Sequence, residues 1–173
     1  MTFIRTVIPA DATAIAAIYA HHVLTGTATF DTDPPLVAFW VDKIETLAAR
    51  NWPFLIAQDD GGLTGCAYAT QFRDRPAYAR TCENSIYIRA DCHGLGIGSA
   101  LMTALCEAAL ASGFHEMIAV IGGGEPVSVM LHRKAGFYHA GRLERVGEKF
   151  GRLLDTIYMQ RKLVRPQPLG GKD

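Results

Sequence analysis

The sequence has no excess of charge of either sign, no long apolar run and no paired-cysteine motif. The 17 lysines and arginines balance 17 aspartates and glutamates, which argues against a nucleic-acid binder that depends on broad electrostatic attraction. No apolar run approaches the length of a membrane span, and we expect no signal peptide in residues 1–5. The four cysteines form no Cys-x-x-Cys pair, so we expect free thiols in the reducing cytoplasm, with no metal and no membrane partner.

The residues that are present indicate one folded domain. A chain of 173 residues with 49% hydrophobic residues can bury a substantial core. Predicted strands and helices alternate and end in a hairpin, which predicts an α/β protein whose mixed sheet carries helices on both faces. We assign residues 1–163 to a single domain and expect residues 164–173 to form a disordered tail.

Two local features give more detailed expectations. Gly65 predicts a β-bulge within a strand. The second predicted helix follows Pro34 and Pro35, and apolar residues at helical spacing form its buried side. These residues are Leu36, Phe39, Trp40, Ile44 and Leu47.

One stretch, residues 84–101, indicates a strand, a glycine-rich turn and the start of a helix. Glycines alternate in the turn at Gly94, Gly96 and Gly98. Glycine lets main-chain N–H groups approach a ligand closely, and a helix N-terminus adds unpaired donors and partial positive charge. The stretch therefore predicts a phosphate or pyrophosphate site, with a turn that binds nothing as the alternative. The turn is not a Walker loop, because no Gly-Lys-Ser/Thr follows it. It also lies too late in the chain to belong to a dinucleotide-binding unit.

The turn resembles motif A of the GNAT acetyltransferases, Gln/Arg-x-x-Gly-x-Gly/Ala, which cradles the pyrophosphate of acetyl-CoA. Residues 93–98 match it as His-Gly-Leu-Gly-Ile-Gly, with His93 where Gln or Arg is usual. Longer segments resemble the phosphinothricin and methionine sulfoximine N-acetyltransferases within this superfamily. These are residues 29–35, Thr81–Ile88, Ser128–Phe137 and Val146–Asp155.

This resemblance implies a fold, a reaction and a set of partners. The fold would be the GNAT acyl-CoA N-acyltransferase fold, with helices on both faces of a central, mostly antiparallel sheet. The reaction would transfer an acetyl group from acetyl-CoA to the amine of a small molecule, without a metal. The acceptors of the family are small amino acids with a sulfone, sulfoximine or phosphinate side chain, and its members are typically homodimers.

The resemblance also assigns the cofactor-binding residues. Main-chain groups of Ile86, Tyr87 and Ile88 would pair with the pantetheine arm, as in β-augmentation. The turn would hold the pyrophosphate through His93, Gly94, Leu95, Gly96, Ile97, Gly98 and Ser99. Ser128 would lie near the thiol end, and Glu125 stands where the family usually has a cofactor-contacting Asn. His132, also near the thiol, would protonate the leaving thiolate or only pack.

Glu83 is the candidate catalytic base. An amine must lose a proton before it attacks a thioester, and a partly buried carboxylate has a pKa raised toward the working range. The resemblance supports this role, and an ion pair with Arg73, Arg75 or Arg80 is the alternative. For the acceptor we predict contacts from Phe30, Arg73, Arg75 and Lys149, since guanidinium groups suit carboxylates and oxidised heads. A solvated basic loop is the alternative for the two arginines.

Three functions are consistent with these motifs. The first is an N-acetyltransferase for a small amino acid or analogue. The second keeps the fold and acetylates another amine, such as a peptide N-terminus, a polyamine or an antibiotic. The third is a non-catalytic acyl-CoA-binding module, which Glu83 argues against and the departures at His93 and Glu125 favour.

Overall fold

The computed structural model describes residues 2–164, so the predicted tail lies outside the described residues apart from Val164. In this part the chain forms seven strands and four α-helices. In chain order these are β1 (Phe3–Thr6), α1 (Ala12–Thr25), α2 (Val37–Ala49), β2 (Phe54–Asp59), β3 (Gly62–Gln71), β4 (Thr81–Ile88), α3 (Ile97–Ala111), β5 (Glu116–Gly122), α4 (Pro126–Lys134), β6 (Tyr138–Lys149) and β7 (Arg152–Lys162).

The strands form one mixed sheet in the order β1-β2-β3-β4-β5-β7-β6. Every neighbouring pair is antiparallel except β4 and β5, which run parallel and are connected by α3. A parallel pair needs a crossover connection, and the helix after the glycine turn supplies it. The predicted α/β class and the mostly antiparallel sheet are confirmed.

Helices cover both faces of the sheet, as expected. On one face α2 buries Trp40 and Ile44 against the β2 and β3 side chains of Phe54 and Tyr68, and α1 packs into the same core. On the other face α3 buries a stripe that includes Leu101. Because apolar area leaves water on both sides, the central strands β3, β4 and β5 are fixed in position between two cores.

The predicted apolar side of α2 is wrong at two positions. Leu36 is 80% exposed because it precedes the helix with extended backbone, and Phe39 is 47% exposed at the edge of the Trp40 ring. Trp40, Ile44 and Leu47 are buried as predicted. The true start of the helix at Val37 moves the first predicted residue out of the apolar stripe.

The parallel strands β4 and β5 separate partway along their length. Their pairing runs from Thr81 opposite Glu116 to Asn84 opposite Ala119 and then stops. The remainder of β4 stays paired with β3 as far as Ile88 opposite Gly65. The edge of β4 that faces β5 is therefore open from Ser85 onward.

Candidate active site

A cleft of about 240 Å³ lies where β4 and β5 separate. The loop after α1, the two strands, the start of α4 and one β7 residue line it. These residues are Ala28, Thr29, Phe30, Glu83, Asn84, Ser85, Ile86, Tyr87, Ala119, Val120, Ile121, Gly122, Ser128, His132 and Thr156. The cleft thus contains both predicted catalytic residues, three predicted cofactor-binding residues and one predicted acceptor-binding residue.

Main-chain groups on the open side of β4 come from its even-numbered residues. The N–H of Phe72 donates to the carbonyl of Thr81, and the N–H of Arg89 donates to the carbonyl of Thr64. Because antiparallel ladders alternate, residues 81, 83, 85, 87 and 89 direct their main-chain groups toward β3. Ile86 and Ile88 therefore direct theirs toward the gap, where an extended ligand can pair with those that are not already hydrogen-bonded.

The glycine turn leads directly into α3 and is open to the outside. Gly94 and Gly96 have φ angles of +79° and +81°, and a Cβ built on either glycine has no neighbouring atom within 4 Å. The first helical hydrogen bond joins the N–H of Ala100 to the carbonyl of Gly96, so the preceding amides of α3 have no partner within the helix. Residues 94–99 thus present open main-chain amides at a helix N-terminus, which favours an anion, and binding there stays a prediction. The side chain of Ile97 is buried and only its main chain faces this site.

His93 contacts the end of β4. Its Nε2 lies 3.2 Å from the carbonyl oxygen of Ile88, and His22 of α1 places its Nε2 2.9 Å from the same oxygen. The two imidazole rings are stacked with centroids 6.2 Å apart. In this geometry His93 supports the strand end beside the turn, and the Ile88 carbonyl is already engaged.

Glu83 is half-buried on the sheet face covered by α1 and α2, together with Ser85 and Tyr87. Burial raises the pKa of its carboxyl, whereas the nearby charges of Arg73 and Lys43 lower it. Within residues 2–164, no ion pair joins Glu83 to an arginine, and Arg80 instead contacts the Nε2 of His115. Among the described residues, the structure therefore does not form the alternative, in which Glu83 is held in an ion pair with an arginine.

His132 lies on the opposite side of the cleft and is 2% exposed. Its Nδ1–H donates to the carbonyl of Ser128 at 2.7 Å, and its Nε2 lies 2.9 Å from the amide nitrogen of Asn84. Burial lowers the pKa of the imidazole, so the ring is neutral and Nε2 accepts the amide proton. Both ring nitrogens are then occupied, and the Oδ1 of Asn84 has no partner in the described part of the chain.

The loop after α1 forms the lid of the cleft. The ring of Phe30 lies between Gly122 and Gly147, so close that a Cβ at Gly147 would stand 2.3 Å from a ring carbon. Lys149 is buried beneath the loop and donates to the carbonyl of Thr29 at 2.9 Å. The hydroxyl of Tyr19 donates to Asp31 at 2.6 Å. Lys149 therefore supports the loop, and its direct contact with an acceptor stays a prediction.

The remaining predicted residues lie outside the cleft. Arg73 and Arg75 are exposed on the loop between β3 and β4, where the Arg73 guanidinium lies 4.4 Å from the Phe72 ring. The side chain of Gln71 donates to both of their carbonyl oxygens and holds the loop in shape. Glu125 immediately precedes α4 and is not among the cleft-lining residues.

Sequence reasoning missed Asn84, Lys43 and the Tyr19–Asp31 contact. The alternation of β4 predicted that Asn84 shares a face with Ile86, but not that α4 brings His132 to its amide. Lys43 lies in α2 among apolar residues that were predicted to be buried. Its contact with Tyr68 of β3 is visible only in the tertiary packing. A lysine within an apolar stripe is the one signal in the sequence that could have singled it out.

The described residues contain neither a metal-binding cluster nor a membrane-spanning helix. In residues 2–164, no group of three or more His, Cys, Asp or Glu residues is arranged to hold a metal ion. Of the helices described there, none has the length and apolar character needed to cross a membrane.

Comparison with known sequences identifies similar enzymes. A family profile described as an acetyltransferase (GNAT) domain matches residues 4–158. A phosphinothricin N-acetyltransferase from Alcaligenes faecalis is 43% identical over 92% of this chain and 82% of its own length. An L-methionine sulfoximine/L-methionine sulfone acetyltransferase from Pseudomonas aeruginosa is 39% identical over 89% of this chain and 90% of its own.

Comparison with solved structures gives the same result. A GNAT superfamily phosphinothricin acetyltransferase from Sinorhizobium meliloti, crystallised in complex with acetyl-CoA, superimposes with a TM-score of 0.91. It is 40% identical in sequence, and the match covers 96% of this chain and 93% of that one. Sequence and fold thus agree along nearly the whole length.

Proposed function

The chain belongs to the GNAT acetyltransferase family, and we propose that it transfers the acetyl group of acetyl-CoA directly to the amine of a small amino acid. The acceptor class we propose is that of phosphinothricin, methionine sulfoximine and methionine sulfone, on which the similar enzymes are named. The observation that carries this proposal is the half-buried carboxylate of Glu83 in the cleft beside an open strand edge.

The residues present fit acetyl-CoA. The open amides of the turn suit a pyrophosphate, since φ is positive at Gly94 and Gly96 and no atom blocks their outer side. The free main-chain groups of Ile86 suit the amides of a pantetheine arm. The thioester end would then lie in the cleft, between Glu83 on one face of β4 and Asn84 on the other.

Glu83 would act as the general base. The acceptor arrives as an ammonium ion and loses one proton to the carboxylate, directly or through a water. The freed nitrogen would attack the thioester carbonyl and form a C–N bond, and the C–S bond would break. The second proton of the nitrogen would pass to the departing CoA thiolate, directly or through a water, so that the products are the N-acetylated acceptor and the CoA thiol. The neutral His132 ring has no free proton, because both of its nitrogens are hydrogen-bonded. We therefore propose that it positions Asn84 and Ser128 and does not protonate the leaving thiolate.

The acceptor would enter from the face of α1 and α2. Arg73 and Arg75 supply fixed positive charge for its carboxylate or its oxidised side chain. Phe30 forms the apolar wall, and Lys149 acts on the acceptor through the loop that it supports. The charge of Arg73 lowers the pKa of Glu83, which supports a place for this loop beside the proposed base.

A thiol-release assay over a panel of amines tests this function. We expect acetyl-CoA-dependent release of CoA with methionine sulfone, methionine sulfoximine or phosphinothricin, and little with a peptide N-terminus, a polyamine or an aminoglycoside. Activity only with the peptide, the polyamine or the aminoglycoside would show that the acceptor belongs to another class of amine. Acetyl-CoA binding without turnover on any amine would instead favour a binding module.

Substitution of Glu83 tests the base. We expect Glu83→Gln to lower kcat by about 10²- to 10⁴-fold, because the amide cannot accept the proton. The Kd for acetyl-CoA, measured by calorimetry, should stay within about twofold, because Glu83 lies on the face away from the turn. Glu107→Gln, an exposed carboxylate on α3, is the matched control. Turnover retained in Glu83→Gln would remove Glu83 as the base.

We further propose a cytoplasmic homodimer. Apolar side chains are exposed along the β6–β7 hairpin at Leu143, Val146, Phe150 and Leu153, which is typical of a surface that a partner subunit covers.

All four cysteines are free and buried, which is consistent with a reducing compartment and with the location of acetyl-CoA.

A further inference from the structure

The ammonium group of Lys43 lies among three aromatic rings. Its Nζ is 4.4 Å from the ring centroid of Tyr68, 5.2 Å from Phe39 and 5.7 Å from Trp40. Lys43 is half-buried, and no hydrogen bond or ion pair to it is formed within residues 2–164. A cation on aromatic faces is attracted to the ring quadrupoles, so the cluster holds the charge in place without neutralising it.

The aromatic cluster lies beside Glu83 on the same face of the sheet. Tyr68 of β3 stands opposite Ser85 of β4, and Glu83 is two residues along β4. Tyr68 and Glu83 are therefore diagonal neighbours, whose Cα atoms in an antiparallel pair are roughly 7–8 Å apart. Lys43 lies over Tyr68, so its charge faces Glu83 across a partly desolvated space in which Coulomb interactions are stronger than in water.

We propose that Lys43 is a positioning residue for acetyl transfer: its fixed cation keeps Glu83 ionised while the acceptor is bound. This inference rests on the proposed function, in which Glu83 is the base.

The other charged groups around Glu83 do not replace this cation. The titratable and charged groups that face Glu83 or Lys43 are Arg73 from the β3–β4 loop, Asp31 from the loop after α1, and Cys66 and Tyr68 from β3. Arg73 and Lys43 both lower the pKa of Glu83. Arg73 is exposed, so salt screens its charge. In the proposed function it also binds the anionic group of the acceptor. When an acceptor is bound to Arg73, Lys43 is the cation that remains to stabilise the ionised form of Glu83.

Opposing effects act on the ammonium group of Lys43. Burial lowers the pKa of its ammonium, whereas attraction to Asp31, Cys66 and Glu83 raises it. The aromatic rings also favour the charged form. The carboxylate of Asp31 is held by the hydroxyl of Tyr19 and so remains near the cluster.

The pH dependence of kcat tests the proposal. Glu83 must be ionised to accept a proton, so kcat falls as the pH drops through its pKa, which burial has raised above the ordinary value of 4.5. Removing the cation raises that pKa further. We expect Lys43→Met to move the acid limb of kcat to higher pH by about 0.5 to 1 unit, and Lys43→Gln to do the same. Lys43→Arg should keep the parental limb.

A matched control comes from the C-terminal end of the same helix. The Arg50 guanidinium lies 4.8 Å from the Trp52 ring, so Arg50→Met removes a cation from an aromatic face away from Glu83 and should leave the limb unmoved. The acceptor amine titrates equally with every variant and cancels in the comparison.

The outcomes separate this inference from the proposed function. If the acid limb disappears in Glu83→Gln but does not move in Lys43→Met and Lys43→Gln, Glu83 is the base and the inference about Lys43 is wrong. A raised acceptor KM with an unmoved limb also overturns it, because Lys43 would then bind the acceptor. If Glu83→Gln keeps the parental limb, the proposed base itself fails.

Discussion

The contact between Asn84 and His132 links the chemistry of one buried side chain to the protonation of another. The Nδ1–H of His132 is committed to the Ser128 carbonyl, which leaves Nε2 as an acceptor for the Asn84 amide. This arrangement is consistent only with a neutral ring, because an imidazolium would present a proton to the amide NH₂ group. The orientation of the Asn84 amide and the charge of His132 therefore determine each other.

Substituting Asn84 by Asp should reverse the charge preference of His132. In the parent protein we expect His132 to titrate below the ordinary value of 6.5, because burial disfavours the cation. In Asn84→Asp a carboxylate faces Nε2 and accepts its proton, so the pKa should rise above that of the parent. Imidazole NMR titration measures both values, and Asn84→Leu, which adds no charge, should leave the pKa low. A parent His132 that titrates above 6.5 would contradict the assigned tautomer.

Single residues were predictable where one strand or one motif determines their position. The period of two in a strand puts Glu83, Ser85 and Tyr87 on one face of β4, and the sheet has them on the face covered by α1 and α2. Lys43 was not predictable in this way, since its neighbours Phe39 and Tyr68 come from two elements whose packing no local pattern records. The roles of the predicted site residues remain predictions.

Two elements distant in sequence meet at the ring of Phe30. The ring fits against β6 because residue 147 has no side chain, and it fits against the end of β5 because residue 122 has none. A Cβ at either position would stand closer to the ring than real Cβ atoms stand to their neighbours. The position of the loop after α1, and with it the wall of the cleft, is therefore determined by two glycines in ordinary strand conformation.

Gly147→Ala should displace Phe30. We expect the free energy of unfolding, measured in urea, to fall by about 1–3 kcal/mol because the added methyl overpacks the contact. The acceptor KM should rise as well, because Phe30 lines the cleft. Gly141→Ala is the matched control on the same strand, where a Cβ meets no atom within 4 Å, and it should change neither quantity. Parental stability and KM in Gly147→Ala would show that the loop moves without cost.

The irregularities within strands were not predictable from the sequence alone. The expected bulge at Gly65 is one residue away: Ala57 pairs with Gly65 and Gln58 with Leu63, so Thr64 is the extra residue. Gly65 instead allows β3 and β4 to approach, since a Cβ there would stand 2.7 Å from Ile88. A glycine in a strand marks either a bulge or a close approach, and only the sheet register distinguishes them.

At the scale of the whole molecule, the sheet ends in a hairpin on which several apolar side chains are exposed. β6 is an edge strand 12 residues long, and a long, apolar edge is a liability unless something covers it. The same hairpin carries Lys149 and Gly147, which hold the loop over the cleft. An interface on this hairpin would therefore stabilise the active site as well as the assembly.

We expect the purified protein to be a homodimer by size-exclusion chromatography with light scattering. A glutamate within a buried apolar contact costs several kcal/mol, so Leu143→Glu and Leu153→Glu should each shift the protein toward monomer. Leu24→Glu, on the exposed side of α1, should remain dimeric. Because the hairpin supports the Thr29–Phe30 loop, the monomeric variants should also lose acetyl transfer at low protein concentration. Monomeric parent protein with full activity would place the complete site within one chain and leave the apolar hairpin without this explanation.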